Sequence, residues 1–137
     1  ANPILVSTRD HGIPLFPTSD GFNYVIAGVE TQKGVTLLDA TEKYSIPNVL
    51  PLRALNWKGR LIRENGSSTW VELTPIKPTV IMSLVSISIN DEGSIEGNEQ
   101  TKYTNLKALN YRNTYLKIKD EEEILLLNLN KKISKIS

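Results

Sequence analysis

The stretch that decides the fold is Phe22 to Thr41, "FNYVIAGVETQKGVTLLDAT". Phe22 to Glu30 alternates well enough for a strand, and Val35 to Leu38 returns as its partner. Thr31-Gln32-Lys33-Gly34 between them reads as a four-residue hairpin loop. The returning strand runs directly into Asp39, a charged residue where a core strand should end. An acid there is commonly a turn or helix cap, and Asp39-Ala40-Thr41 fits that pattern. It can also orient a catalytic imidazole on the partner strand. The residues in register to face it lie around Asn23 and Tyr24, and neither is histidine.

Working outward, Ile4 to Ser7 is a short β-prone run followed by turn chemistry at Arg9-Asp10-His11-Gly12. Pro14 and Pro17 keep the next connection extended and irregular. Asp39 to Trp57 is turn-rich, with Pro47 and Pro51 blocking a long helix. Gly59 to Arg63 and Thr69 to Leu73 form a second hairpin around Glu64-Asn65-Gly66. Thr74-Pro75-Ile76-Lys77-Pro78 reads as a linker, dividing the chain into 1–73, a 74–79 connection and 80–137.

Beyond it, Val80 to Ile89 places Val85, Ile87 and Ile89 on one face, and Asn90-Asp91-Glu92-Gly93 turns the chain into a polar, half-exposed strand over Ser94 to Lys102. The period then changes. Leu106, Leu109, Tyr111 or Arg112, Leu116 and later Ile124, Leu125 and Leu127 predict one or two amphipathic helices broken near Lys119-Asp120. Asp120 serves as an N-cap with Glu121, Glu122 and Glu123 in the first turn, and Lys131, Lys132 and Lys135 sit near the far end. Strands, then a hairpin, then helices give an α+β class.

Composition narrows the function classes. The 137 residues fit one ordinary domain or two small subdomains, and 39% apolar with 23% charged residues supports a packed core. Sixteen basic against fifteen acidic residues give a formal charge of +1, which argues against nucleic acid as a partner. No run is long and apolar enough for a membrane span, so membrane insertion is not expected. With no cysteine and one histidine, His11, there is no thiol nucleophile in this chain and no metal cluster to build on. A glycine-rich phosphate cradle is absent, and no cofactor is expected. The abrupt entry into a strand after Ala1 reads as a piece of a longer polypeptide. Trp57 and Trp70 with Tyr44 could line a groove, though such residues more often cover a core or an edge. Asn65-Gly66-Ser67 is formally a glycosylation sequon, and Asp91-Glu92 alone makes no calcium loop.

"LVSTRDHG", "FNYVIAGV", "LLDAT" and "LPLRALNWKGRLI" together resemble the C-terminal half of a transglutaminase-like, papain-related domain of large bacterial exported proteins. The resemblance covers roughly Ala1 to Leu73. It implies an antiparallel β-rich remnant of that core, followed by a β-hairpin and one or two helices of an accompanying, poorly characterised domain. It implies a periplasmic or extracellular setting. It also implies a cysteine–histidine–aspartate triad whose cysteine would lie upstream of this chain, with Asp39 at the aspartate position and Tyr24 at the histidine position. A phenol titrates near ~10 and forms no imidazolium–thiolate pair, so this arrangement implies a degenerate triad in which Asp39 is a vestigial acid. Rescue by His11 would need its loop to fold over the cleft. The expected role is structural or protein-interacting, with a protein or peptide partner. The alternative is the acid-bearing half of a cysteine-dependent amidase, protease or acyl-transferase. A core without its cysteine helix would expose one sheet face, so the C-terminal helices or a second copy of the chain are expected to cover it.

Overall fold

The computed structural model describes residues 1–16, 18 and 20–116. Among these residues seven strands run in the order β1 Asn2–Val6, β2 Tyr24–Thr31, β3 Gly34–Leu38, β4 Lys58–Ile62, β5 Ser68–Glu72, β6 Ile81–Ile89 and β7 Ile95–Tyr103. A 3-10 turn at Leu52–Ala54 precedes β4, and one α-helix, α1, follows at Asn105–Tyr115. Strands β1 to β5 form an antiparallel sheet ordered β3-β2-β1-β4-β5, and among the described residues β6 and β7 form a separate two-stranded sheet. The class is α+β, as the element order predicts. The expected helix from Asp120 onward lies outside the described residues.

The two hairpins of the large sheet arise where alternation and turn residues coincide. In the first, Thr31 pairs with Gly34, so the loop is the two residues Gln32-Lys33 and not four. Thr31 Oγ1 donates to the Gly34 carbonyl at 2.9 Å, closing the turn from inside. In the second, Ile62 pairs with Ser68 around Gly66, whose φ of +80° is one that a side chain would resist.

One sheet face is the core. Ile4, Val6, Leu61 and Leu73 are fully buried, each worth roughly 1.5–3 kcal/mol. Ile4 occupies the middle of the central strand β1, flanked by Gly28 on β2 and Gly59 on β4. A Cβ on Gly28 would stand 2.6 Å from Ile4 Cδ1, and one on Gly59 2.6 Å from Ile4 Cγ2. The branched side chain fits because both neighbours have none. Leu50, Ala54 and Leu55 close the core from the segment between β3 and β4, and Leu106 of α1 packs against it.

That same segment also guards the edge strand β3. Asn48, at φ +64°, donates its backbone N–H to the Leu37 carbonyl and accepts the Leu37 N–H on Oδ1, both at 2.8 Å. A single residue thus stands in for a sixth strand. The opposite sheet face is partly open. Val25 is 52% exposed, and a shallow depression beside it is lined by Pro3, Ala27, Ala40 and Thr41. Helix α1 reaches the core side: Arg112 Nη1 donates to the Tyr44 carbonyl at 2.8 Å and Asn113 Nδ2 to Glu42 at 2.9 Å.

The β6–β7 hairpin differs. Its register from Ile81↔Tyr103 to Ile89↔Ile95 confirms the alternation, yet Val85, Ile87 and Ile89 are exposed. Its ties to α1 lie at its base, where the Tyr103 and Tyr111 rings stack at 5.1 Å.

Candidate functional site

Tyr24 opens β2, and Asp39 follows the last residue of β3. The final pair of that ladder is Ala27↔Leu38. Continued by one step it sets Asp39 beside Ile26, so side-chain alternation puts Tyr24 and Asp39 on the same face. The structure brings them together, with Tyr24 Oη donating to Asp39 Oδ2 at 2.8 Å.

Asp39 also closes its own turn. Oδ1 accepts the Thr41 backbone N–H at 2.9 Å and the Thr41 hydroxyl at 2.7 Å. Its carbonyl takes the Ser45 hydroxyl at 2.8 Å. Asp39 is 3% exposed, and both carboxylate oxygens are engaged by donors from its own protein. Asp39 therefore caps its own turn and also bonds the Tyr24 hydroxyl across the hairpin. A buried carboxylate supplied with three donors is well solvated by the protein.

Arg53, from the 3-10 turn, completes the cluster. Nη2 donates to Tyr24 Oη at 2.9 Å and to Thr41 Oγ1 at 3.3 Å, and its guanidinium carbon lies 5.2 Å from the Tyr24 ring centroid. Nη1 bonds Glu42 Oε1 at 2.6 Å, while Glu42 Oε2 takes Asn113 from α1. Burial works against the Arg53 charge, but the bonds to Glu42 and Tyr24 outweigh it and raise its pKa above the ordinary guanidinium value. The result is one relay, Asp39–Tyr24–Arg53–Glu42–Asn113, from the sheet to the helix. Tyr24 Oη thus sits among Asp39 Oδ2, the Thr41 hydroxyl and the Arg53 guanidinium, and the phenol is held as a bridge between them.

His11 is elsewhere engaged, its Nε2 3.0 Å from the Asp20 carbonyl oxygen. Trp57 and Trp70 do meet, with centroids 6.2 Å apart, and Phe22 joins Trp70 at 6.3 Å. Lys58 and Arg60 sit over these rings. Tyr44 has other contacts, its ring under the Lys43 ammonium and its carbonyl on Arg112.

Sequence reasoning missed Arg53, Glu42 and Asn113, which are contributed by three separate elements. It also missed a second knot at the end of β1. Asn23 Oδ1 accepts the Thr8 N–H at 2.8 Å, and Asn56 Nδ2 donates to the carbonyls of Ser7 and Gly12 at 3.0 and 2.8 Å. The signal available for Asn23 and Asn56 was an amide beside a strand end, too common to stand out. No helix among the described residues is long and apolar enough to cross a membrane. No family model, curated protein or solved structure matches the chain.

Proposed function

We propose that this chain is a non-catalytic part of a transglutaminase-like core that serves as a structural or protein-interaction module, with Tyr24 and Asp39 where a histidine–aspartate couple would stand. The observation that carries this reading is the saturation of Asp39: Tyr24, Thr41 N–H and Thr41 hydroxyl occupy its two oxygens. A triad acid needs a partner that can accept a proton from the nucleophile and return it to the leaving group. Here the partner is a phenol fixed between a carboxylate and a guanidinium, which serves cohesion instead. The exported setting follows from the same resemblance. The open sheet face around Val25, with Pro3 and Ala27 beside it, is the surface for a protein partner or a second copy of the chain.

The test is Tyr24→His in the full chain, read by NMR of the new ring. An inherited couple gives an imidazole N–H that is protected from solvent exchange and shows contacts to Asp39. Both ring nitrogens in fast exchange with water would overturn the ancestry of the site while leaving its bracing role intact.

A further inference from the structure

Strand β5 is an outer strand of the large sheet, and hydrogen-bond parity shows what its free side offers. Arg63 N–H donates to the Ser67 carbonyl at 2.9 Å, and Leu73 N–H donates to the Trp57 carbonyl at 2.8 Å. These two pairs bracket the β4–β5 ladder, so Thr69 and Val71 are its bonded residues in between. Ser68, Trp70 and Glu72 alternate with them and turn their N–H and C=O groups outward. No group among the described residues bonds those backbone atoms. Exposed edges are commonly protected by lysine, proline or a bulge. Ser68-Thr69-Trp70-Val71-Glu72 has none of these and is rich in strand formers. At the far side of the sheet, by contrast, Asn48 already holds Leu37 of β3.

We propose that β5 pairs with β5 of a second copy of this chain, antiparallel about a two-fold axis at Trp70. This edge is separate from the open sheet face around Val25. Trp70 then opposes the partner's Trp70, and Ser68 opposes the partner's Glu72. Each opposed pair exchanges both backbone hydrogen bonds, using the outward groups of all three residues. The contact is isologous, and with the β3 edge taken the pairing stops at two chains.

Charge selects a second copy as the occupant. The Glu72 side chain is 60% exposed, 3.3 Å from Lys58. Toward the other end of the strand, Arg60 Nε donates to the Ser68 hydroxyl at 3.0 Å. Among the described residues no carboxylate lies within ion-pair distance of Arg60. Alternation puts Arg60, Ser68, Trp70 and Glu72 on one sheet face. The edge is thus acidic at one end and basic at the other, and an antiparallel copy of itself matches both. Each Glu72 arrives next to the other chain's Ser68, within reach of its Arg60, so the same ion pair forms twice. The indoles add to this. Trp70 stands 6.2 Å from Trp57, itself 41% exposed, and 6.3 Å from Phe22. The two-fold joins these two clusters through a cross-strand aromatic pair.

Sedimentation of the full chain at concentrations up to about 1 mM is expected to show a reversible monomer–dimer equilibrium. A monomer throughout, or growth past the dimer, would overturn the proposal. Amide exchange in the same samples reads the register. Protection of the Ser68, Trp70 and Glu72 amides is expected to rise at least about tenfold between the dilute and the concentrated sample. A gain confined to other residues would refute the pairing, as would a Trp70 amide equally protected in the monomer. Glu72→Arg is expected to weaken the dimer at least about tenfold, and adding Arg60→Glu to restore most of that loss. A dimer indifferent to Glu72→Arg would lie on another surface and sink the assignment. The exchange measurement needs no variant and decides the matter even if the Arg60→Glu chain fails to fold.

Discussion

The five-stranded sheet and the β6–β7 ribbon are written in the same alternating pattern and meet opposite fates. In the sheet, Ile4, Val6 and Leu61 are fully buried; in the ribbon, Val85, Ile87 and Ile89 face solvent across the described residues. Strand propensity is not what separates them. The sheet has five strands, glycines that make room for Ile4, and a cover built from Leu50, Ala54, Leu55 and Leu106. The ribbon has two strands and one aromatic stack. Alternation thus specifies a face, while burial depends on what distant chain arrives to meet it.

The sharpest way to break this contrast is to make the same change in both regions. Leu61→Ala is expected to cost about 2–5 kcal/mol in urea denaturation, since it opens a cavity among fully buried neighbours. Leu84→Ala, on the ribbon's other face at 65% exposure, should stay within about 0.5 kcal/mol. Comparable losses at the two sites would mean that the ribbon is as well covered as the sheet.

A smaller effect probes the room around Ile4. Gly59→Ala would put a methyl 2.6 Å from Ile4 Cγ2 and 3.0 Å from the Leu5 carbonyl oxygen. We expect a loss of about 1–3 kcal/mol, because neither the branch methyl nor the backbone oxygen can easily give way. The corresponding Gly97 in β7 has the Ser86 carbonyl oxygen at 3.2 Å and then only the Ile87 side chain at 3.7 Å, so Gly97→Ala should cost less.

The smallest effect is electrostatic and lies at the sheet surface. Arg63 Nη2 bonds Glu30 Oε1 at 2.5 Å and Asn2 Nδ2 bonds Oε2 at 3.0 Å. The Arg63 bond is the main reason the Glu30 carboxyl is held below its ordinary value of 4.5. A carboxyl depressed in the folded state contributes stability that is full above that ordinary value. The contribution is lost as pH falls through the lower folded value. Urea midpoints followed from about pH 6 to about pH 3 should therefore fall less steeply in Glu30→Gln than in the native chain. Identical slopes would show that the pair adds nothing to acid stability.

Much of the fold was legible because its signals are local. Phe22 to Leu38 and Gly59 to Leu73 carry alternation and turn residues in one short window, and the hairpins follow within a residue or two. The loop length between β2 and β3 escaped because Thr31 and Gly34 can each end a strand or belong to a turn. At the candidate site, Asp39 and Tyr24 stood out through their place in the hairpin. Arg53, Glu42 and Asn113 did not, since a relay assembled from a 3-10 turn, a loop and a helix leaves no spacing in the sequence. The openness of the ribbon was equally invisible. Val85, Ile87 and Ile89 have the same periodicity whether or not anything lies over them.

Asn48 has a consequence for how copies of this molecule can stick together. A neighbour seeking to lengthen the sheet past β3 would need the outward amide and carbonyl of Leu37, and one asparagine holds both. Evicting it means dislodging the same stretch that brings Leu50 and Leu55 into the interior. Filament growth from that side is therefore tied to the cost of opening the core, whereas a frayed rim alone would not permit it.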